Sequence, residues 1–454
     1  MRCITLAMFA DVEVISNNTY GYNQFTYSIP HKFKTKLSIG SFVKVEFRNK
    51  IVDALVVNLK SKTEIKNPKN ILKVSNFTLD NEQDLYCKYI ALSNRLNCGI
   101  LLHNIIDLDN LRKQNILKTK SVSNINFQEF NNFKFVNDNV FFVSSIKQAN
   151  ELSKNLKNKL KIDFYQKFGG KDELINVLNN KKYRNIIILS NNFEKVILND
   201  HTNYFFYDSN SPAYKLPKLN NLNIVESSYL KNHIFGGKFI YINEFPNLEF
   251  NDFYKFNIEE INYGIEYYFS NNLKDNLELL NHKYPNKVFK VYSKETFAEN
   301  KNISQYDDIN NKEVNTVIIS NPTISSKGLL NSYKLISLLR TLNFCIKNNL
   351  KIIIFNNKKL NIESSLNSSS LTKWANKELE TRLKYGPNKL LKVFQFELQQ
   401  KLEDSNELVL GPIKTESGFK YEVQIKLSKD VNYIKFINLF KSLNKIDLTR
   451  VRYI

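Results

Sequence analysis

The sequence predicts a multi-domain α/β protein with a small antiparallel β domain at its start and an α+β domain at its end. Residues 11–79 alternate between apolar and polar positions and are interrupted by turn residues, a pattern typical of short antiparallel strands. The middle of the chain alternates apolar runs with amphipathic helical stretches, and the tail mixes both patterns. A chain of 454 residues is long enough for several domains.

The first domain is predicted over residues 1–106. Period-two alternation predicts three strands, Phe25–Ile29, Phe42–Phe47 and Ile51–Leu59. Pro30 ends the first strand because proline cannot donate a ladder hydrogen bond. Gly40 precedes the second strand, and a polar turn joins the second to the third. Apolar residues at helical spacing then predict a helix over 80–98.

The middle of the chain is predicted to form two α/β units, residues 136–250 and 251–370, after a polar linker at 107–135. Apolar runs of strand length recur at Val140–Val143, Ile186–Leu189, Tyr204–Tyr207, Phe239–Ile242, Val288–Val291, Thr316–Ile319 and Ile352–Phe355. Helices are predicted between them, at 146–160, 171–180 and 330–347. Buried runs separated by helices are typical of a parallel sheet covered on both faces.

The last domain is predicted over residues 371–454. It follows a Ser-rich polar stretch, Asn361–Ser370, which is predicted to be a linker. The domain is predicted to contain a helix, two strands, a helix and a strand, in that order. Such a mixture is typical of a small α+β domain.

The net charge of +21 comes from 65 Lys+Arg residues against 44 Asp+Glu residues. This excess favours a polyanion partner, since each neutralised phosphate releases a condensed counterion. The chain is also rich in Lys, Asn and Ile throughout, a compositional bias that raises the lysine content whatever the function. Charge therefore supports a nucleic-acid partner without identifying one.

Several other classes of protein are disfavoured by composition. The four cysteines and five histidines are scattered without a Cys-x-x-Cys pair, so no zinc site is predicted. The longest apolar runs are strand-length and far shorter than a membrane span. The first residues lack an extended apolar core followed by a small-residue cleavage site. We therefore expect a cytoplasmic protein with no metal, no other cofactor and no membrane contact.

Two sets of short motifs lie at opposite ends of the chain. The first contains Phe25-Thr-Tyr-Ser-Ile-Pro, Leu37-Ser-Ile-Gly-Ser-Phe-Val-Lys-Val-Glu-Phe and Ala54-Leu-Val-Val. The second contains Trp374-Ala-Asn-Lys-Glu-Leu-Glu-Thr-Arg-Leu-Lys-Tyr-Gly-Pro, Val409-Leu-Gly-Pro and Lys420-Tyr-Glu-Val-Gln-Ile-Lys-Leu. In this order, the two sets resemble the primosomal protein N′ family, whose members are DNA helicases of replication restart.

The resemblance implies that the first domain captures the 3′ end of a nascent DNA strand at a stalled fork. Thr26 stands where the family usually has Asp, which accepts the terminal 3′-hydroxyl, and Arg48 stands near a usual Gly. Aromatic rings would stack on bases and cations would contact phosphates. The alternative is that these aromatics are core residues and these cations a solvated strand edge. The predicted nucleic-acid-binding set is Phe25, Thr26, Tyr27, Gly40, Lys44 and Arg48.

The two α/β units resemble the family's RecA-like helicase lobes in a degenerate form. No Gly-x-x-x-x-Gly-Lys-Ser/Thr phosphate loop is present, and Phe168-Gly-Gly-Lys has the wrong spacing. Of the family's Asp-Glu-Glu-His motif only Asp208 remains, as a vestigial catalytic residue. The coupling motif is reduced to Asn243-Glu-Phe-Pro-Asn-Leu-Glu, and Leu338–Lys347 lacks both Gly-Arg pairs. The family's zinc-binding cysteines are also absent.

These residues favour a DNA-binding protein of primosome assembly and replication restart that has lost ATPase activity. Its predicted partners are forked DNA or junctions of single-stranded and duplex DNA, together with replication proteins such as a helicase loader or a single-strand-binding protein. Two alternatives remain open. One is an ATP-dependent 3′–5′ helicase with an atypical nucleotide site, and the other is a protein-interaction scaffold of the replisome.

Overall fold

The structure is a computed structural model in which two compact units are distinguished. Met1–Asn243 and Pro387–Ile454 form the first unit, and Glu244–Gly386 forms the second. The described residues are 8–16, 24–165, 184–220, 222–243, 264–269, 273–293, 303–306, 308–309, 311–320, 331–356, 391–402, 408–416, 418–426, 432–443 and 450–453. The predicted helix at 171–180 and the predicted linker at 361–370 lie outside these residues.

The first domain contains a five-stranded antiparallel sheet, as the alternation of apolar residues predicts. Its strands are β1 (Phe9–Val14), β2 (Phe25–Ser28), β3 (Ser41–Phe47), β4 (Lys50–Lys60) and β5 (Lys73–Thr78). They are arranged in the order β2-β1-β4-β3-β5. The three predicted strands correspond to β2, β3 and β4, and β1 and β5 complete the sheet.

The sheet closes into a small barrel through the segment that precedes β5. The Ser28 amide donates to the Lys69 carbonyl over 2.8 Å, and the Leu72 amide donates to the Lys44 carbonyl over 2.9 Å. This segment therefore joins edge strand β2 to β3. Apolar residues from alternate positions of the strands fill the interior, among them Ala10, Val12, Val14, Tyr27, Val43, Val45, Ala54 and Val56, as the period-two pattern requires.

Three capped helices follow the barrel: α1 (Asn81–Ser93), α2 (Cys98–Asn104) and α3 (Leu108–Lys113). Asp80 and Gln83 form a reciprocal capping box at the start of α1, which satisfies two otherwise unpaired amides. Gly99 lies where α2 meets the end of β1. A Cβ atom there would be 2.3 Å from the Val14 carbonyl oxygen, so only glycine fits this close approach.

The stretch 107–135 is not the linker that its polarity predicts. It contains α3, strand β6 (Lys120–Ile125) and helix α4 (Phe127–Asn131). β6 pairs with a later strand along its whole length, so its backbone groups belong to a sheet ladder. The alternation of apolar and polar residues is weak in this stretch because β6 lies at a sheet edge, where polar side chains face solvent.

A six-stranded parallel sheet forms the α/β part of the first unit. Besides β6 it contains β7 (Asp138–Val143), β8 (Phe164–Tyr165), β9 (Asn185–Leu189), β10 (Thr202–Tyr207) and β13 (Gly237–Ile242), in the order β6-β13-β10-β7-β9-β8. The four apolar runs predicted here all lie in these strands. Helices α5 (Ile146–Leu156) and α6 (Ile224–Phe235) and the short hairpin β11 (Lys215–Leu216)–β12 (Leu222–Asn223) complete the described residues of this part, together with 3-10 turns.

The second unit is built on a separate parallel sheet. Its elements are β14 (Glu266–Phe269), α7 (Leu273–Lys283), β15 (Phe289–Tyr292), β16 (Ile303–Tyr306), β17 (Thr316–Ser320), α8 (Asn331–Lys347) and β18 (Lys351–Asn356). The strand order is β14-β18-β17-β15-β16. The chain is therefore a mixed α/β protein with two parallel sheets, as the sequence predicts.

The C-terminal domain contains a four-stranded antiparallel sheet and one described helix. Its elements are β19 (Leu391–Leu398), β20 (Val409–Lys414), β21 (Phe419–Lys426), α9 (Tyr433–Leu443) and β22 (Arg450–Tyr453), with the strand order β20-β21-β19-β22. One strand more than predicted precedes α9. The helix predicted around Trp374 lies outside the described residues.

A buried carboxylate joins the barrel to the C-terminal domain. Glu13 of β1 is fully buried and accepts hydrogen bonds from the Tyr433 hydroxyl of α9, at 2.8 and 2.9 Å, and from the Cys98 amide of α2, at 2.7 Å. Gln24 donates to the same carboxylate over 3.1 Å. Burial raises the pKa of Glu13, although these hydrogen bonds partly oppose the rise.

A second buried polar cluster joins the helices after the barrel to the six-stranded sheet. The ammonium of Lys231 lies 3.3 Å from the Glu194 carboxylate, and the Tyr86 hydroxyl of α1 donates to the same carboxylate over 2.6 Å. All three residues are buried. Losing one partner would leave a buried charge uncompensated, which is strongly destabilising.

The contribution of Tyr433 to stability is predicted to depend on pH. Because the pKa of Glu13 is raised in the folded state, its ionisation opposes folding: stability is greatest below the ordinary pKa and falls as pH rises through the folded-state value. Tyr433→Phe removes a donor to this carboxylate. We expect a cost of about 1 kcal/mol at a low pH, at which the carboxyl is protonated, and about 2–3 kcal/mol at a pH high enough to ionise it.

Urea unfolding of the full chain at both pH values measures these costs. The matched control is the same substitution in a Glu13→Gln background, where the pH dependence of the Tyr433→Phe cost is expected to disappear. An equal cost at both pH values in the wild-type background would contradict the role assigned to the Glu13 carboxylate.

Candidate nucleic-acid interface

Two aromatic rings and an arginine form a connected group at one end of the barrel. The rings of Phe25 and Phe47 are 4.7 Å apart between centroids, and the Arg48 guanidinium lies 5.2 Å from the Phe47 centroid. Both rings are half-buried, and Arg48 is exposed. We refer to these three residues as the aromatic–arginine stack. Aromatic faces and guanidinium planes are groups on which nucleobases stack.

Closure of the barrel brings the parts of this stack together. Phe25 lies on β2 and Phe47 at the end of β3, two strands that are not neighbours in the ladder. Tyr27 holds them in register, since its hydroxyl donates to the Glu46 carbonyl over 2.8 Å. Its ring is 5% exposed, and burial together with the Glu46 charge raises its pKa. Tyr27 thus lies beneath the stack as a core residue.

Arg48 is presented by a strained turn. Arg48 and Asn49 form the two-residue connection between β3 and β4, and their φ angles are +48° and +60°. Positive φ at both positions is the geometry of a type I′ hairpin turn, in which Asn and Gly are strongly preferred. An arginine in this region is uncommon, and the strain identifies the turn as a candidate functional position.

Thr26 faces the opposite side of β2 from Phe25 and Tyr27. Its hydroxyl donates to the Asp11 carboxylate over 2.7 Å. The amide of Asn58 and the ammonium of Lys60 also donate to Asp11, at 3.0 and 2.7 Å. Burial alone would raise the pKa of Asp11, but the hydrogen bonds and the Lys60 charge outweigh it and lower the pKa.

Lys44 and Gly40 lie apart from the stack. Lys44 is exposed near the middle of β3 and forms a 3.1 Å ion pair with Asp53 across the ladder. Gly40 is buried with φ of +87°. Its amide donates to the Val56 carbonyl, and its carbonyl accepts from the Leu79 amide. Its observed contacts are therefore those of a turn that starts β3.

The six predicted residues thus occupy distinct places rather than one. Phe25 and Arg48 are brought together through Phe47, which the sequence analysis did not single out. The sequence feature that could have identified Phe47 is its position at the end of a period-two strand, directly before a polar turn. Asp11 was also missed, because its contact with Thr26 depends on the pairing of β1 with β2, which short-range pattern cannot supply.

Asp208 lies at the carboxyl edge of the six-stranded sheet, in the turn after β10. The neighbouring strand β7 is joined to α5 by only two residues, Ser144 and Ser145. Gln148 of α5 accepts from the Ser144 amide over 2.9 Å and donates to Asp208 over 3.0 Å. A phosphate loop needs a longer run of backbone amides that point at the ligand, and this connection is too short to provide one.

The crevice between β7 and β10 is filled by a tyrosine. Open α/β sheets bind ligands where the strand order reverses, and here the reversal falls between these two strands. The Tyr214 hydroxyl lies 2.8 Å from the Phe142 carbonyl and 2.9 Å from the Tyr207 carbonyl, one from each strand. Its side chain is fully buried, so it occupies the position at which a ligand would enter.

Two further structural findings concern the described residues alone. Among them, no group of three or more His, Cys, Asp or Glu side chains is arranged to hold a metal ion. None of their helices combines the length and apolar character needed to cross a membrane.

Comparison with known proteins gives one informative match. Residues 13–101 match the family model of the PriA 3′ DNA-binding domain. The match covers all of β2–β5 as well as α1 and the beginning of α2, and it includes Phe25, Phe47 and Arg48. The barrel region is accordingly similar to the 3′ DNA-binding domain of PriA, and the match supports a PriA-like assignment for this part of the chain.

The other comparisons add little. No curated protein matches the chain. Among solved structures it is similar to the crystal structure of methylated PRRSV nsp10, a helicase, with 9% sequence identity, a TM-score of 0.20 and coverage of 78% of this chain and 70% of that chain. At that TM-score the likeness supports no conclusion.

Proposed function

We propose that this chain is a DNA-binding protein of replication restart whose barrel holds the 3′ end of a DNA strand at a fork or junction. The observation that carries the proposal is the aromatic–arginine stack, which lies inside the region that matches a 3′ DNA-binding domain. A terminal base stacks on the half-buried rings of Phe25 and Phe47, and the exposed Arg48 guanidinium contacts the base or the adjoining phosphate.

Tyr27 and Gly40 contribute to this site as supporting residues. The buried ring of Tyr27 leaves little surface for a base, so its hydroxyl serves to fix β2 against the end of β3. Gly40 shapes the start of β3. Lys44 is partly neutralised by Asp53 and adds a weaker phosphate contact. The overall charge of +21 favours binding to DNA in general and adds salt dependence.

We also propose that the two α/β units are helicase-like lobes without ATPase activity. The missing phosphate loop, the two-residue connection before α5 and the crevice filled by Tyr214 support this proposal. The domain limits 1–106, 107–135, 136–250, 251–370 and 371–454 are part of the same proposal, with 107–135 as a structured segment. A helicase loader and a single-strand-binding protein are the proposed protein partners, in the cytoplasm.

The aromatic–arginine stack is predicted to determine DNA affinity. Phe25→Leu should weaken binding to a primer–template with a recessed 3′ end by about 5- to 150-fold, since stacking contributes about 1–3 kcal/mol per base. Arg48→Asn should weaken binding while preserving the fold, because Asn tolerates positive φ. Fluorescence polarisation at several salt concentrations measures both effects, and urea unfolding verifies that each variant folds.

The chain offers a matched control for these variants. Arg112 lies 4.4 Å from the Phe77 centroid, and Phe77 stacks on Phe42 with centroids 5.4 Å apart. Phe77→Leu and Arg112→Gln should each change DNA affinity less than about twofold, because at most a single exposed charge is lost. The proposed site would be refuted if the Phe77 and Arg112 variants lost as much DNA affinity as the Phe25 and Arg48 variants. It would also be refuted if wild-type binding were insensitive to salt and showed no preference for recessed 3′ ends.

Nucleotide turnover is predicted to be absent. With single-stranded DNA present, the wild-type chain should release no more phosphate from ATP than the Asp208→Asn variant, because too few backbone amides are available to hold the phosphates. Asp200 of the same unit, a half-buried carboxylate that accepts from the Thr119 amide, provides a control substitution, Asp200→Asn. DNA-stimulated hydrolysis that Asp208→Asn abolishes and Asp200→Asn preserves would show that the motor is active.

A further inference from the structure

Three lysines surround one tyrosine at an edge of the sheet in the second unit. We infer that the two exposed lysines of this group, Lys283 and Lys287, bind backbone phosphates of single-stranded DNA. The inference rests on the proposed function, and it adds a DNA contact on a unit that lies outside the family match.

The ammonium groups of the three lysines all lie close to the ring of Tyr284. Those of Lys283, Lys287 and Lys351 are 5.4, 5.6 and 4.0 Å from its centroid. We refer to these four residues as the lysine–tyrosine patch. Lys283 and Lys287 are exposed, whereas Lys351 is half-buried. Two of the three ammonium groups can therefore reach a ligand.

The tyrosine at the centre of the patch is held by the sheet. Its hydroxyl donates to the Glu266 carboxylate over 2.6 Å, and its ring packs edge-on against Phe289, with centroids 6.0 Å apart. Glu266, Phe289 and Lys351 are the first residues of β14, β15 and β18. These strands are parallel, so their first residues lie at the same edge of the sheet. The patch thus belongs to a rigid element.

The charges of the patch do not balance. Glu266 pairs with Lys351 at 2.8 Å and lies 3.7 Å from Lys283. Burial would raise the pKa of Glu266, but hydrogen bonds from Lys351 and Tyr284 and the lysine charges lower it. Lys287 forms no ion pair within the described part of the chain. Three lysine charges against one carboxylate leave a surplus of two positive charges, and an anion at this place offsets their mutual repulsion.

The position of the patch in the sheet disfavours a nucleotide as its anion. Open α/β sheets bind nucleotides outside the carboxyl ends of their strands, and the patch lies at the amino ends. Lysine contacts phosphate as a point charge, and phosphate contacts hold a nucleic acid without reading its sequence. Cationic side chains beside aromatic rings are typical of surfaces that follow single-stranded nucleic acids. The single-stranded arm of a DNA junction therefore fits the patch.

The test uses the full chain and a primer–template with a recessed 3′ end and a long single-stranded arm. The double variant Lys283→Gln, Lys287→Gln should reduce the slope of log affinity against log salt by about 1.4, because each single-strand phosphate contact contributes about 0.7. Replacing both lysines by Arg keeps the charges and should preserve the wild-type slope. Urea unfolding verifies that each variant folds.

The same unit offers a control of equal charge. Lys290 is paired with Glu313 at 3.0 Å, and Lys312 is exposed. The double variant Lys290→Gln, Lys312→Gln removes two positive charges outside the patch. We expect it to change the slope by less than half as much, because neither lysine contacts the Tyr284 ring.

The possible results separate the patch from the barrel. Equal slopes for the two Gln double variants, in a chain that prefers recessed 3′ ends, overturn the patch as a DNA site and leave the proposed function intact. Binding of a polyglutamate peptide that Lys283→Gln, Lys287→Gln abolishes, without a change in the DNA slope, overturns it in favour of an acidic protein partner. Absence of DNA binding by the wild-type chain overturns both the proposed function and the patch.

Discussion

The buried Glu13 carboxylate is the interaction on which the arrangement of the first unit depends. It joins β1 of the barrel, the first turn of α2 and Tyr433 of α9, which are far apart in the sequence. A buried carboxylate is costly unless its oxygen atoms accept several hydrogen bonds, and here the donors come from α2, from α9 and from Gln24, the residue before β2. The C-terminal helix is therefore held against the barrel.

Much of the fold could be predicted because local patterns determined it. The period-two alternation of Phe42–Phe47 and the apolar runs such as Tyr204–Tyr207 produce the strands expected of them, since side-chain burial sets both patterns. The exception is β6 within 107–135, whose polar residues resemble a linker. Its strand conformation depends on pairing with β13, a tertiary contact that no short window of sequence contains.

The candidate site was less predictable for the same physical reason. Phe25 and Arg48 could be proposed from a resemblance, but their connection through Phe47 requires closure of the barrel. Tyr27 was proposed as a stacking group, and its burial makes a supporting role the better proposal. The sequence shows only that Thr26 replaces the Asp that is usual in the family. Pairing of β1 with β2 places the Asp11 carboxylate beside Thr26. Residue type was predictable, and three-dimensional proximity was not.

The most direct test of the account is hydrogen exchange of the full chain with and without a recessed-3′-end DNA. The account predicts that DNA slows exchange in β2 and in the turn at Arg48 and Asn49, and that ATP changes nothing around Ser144 or Asp208. Slower exchange confined to the carboxyl edge of the six-stranded sheet, with the barrel unchanged, would contradict it.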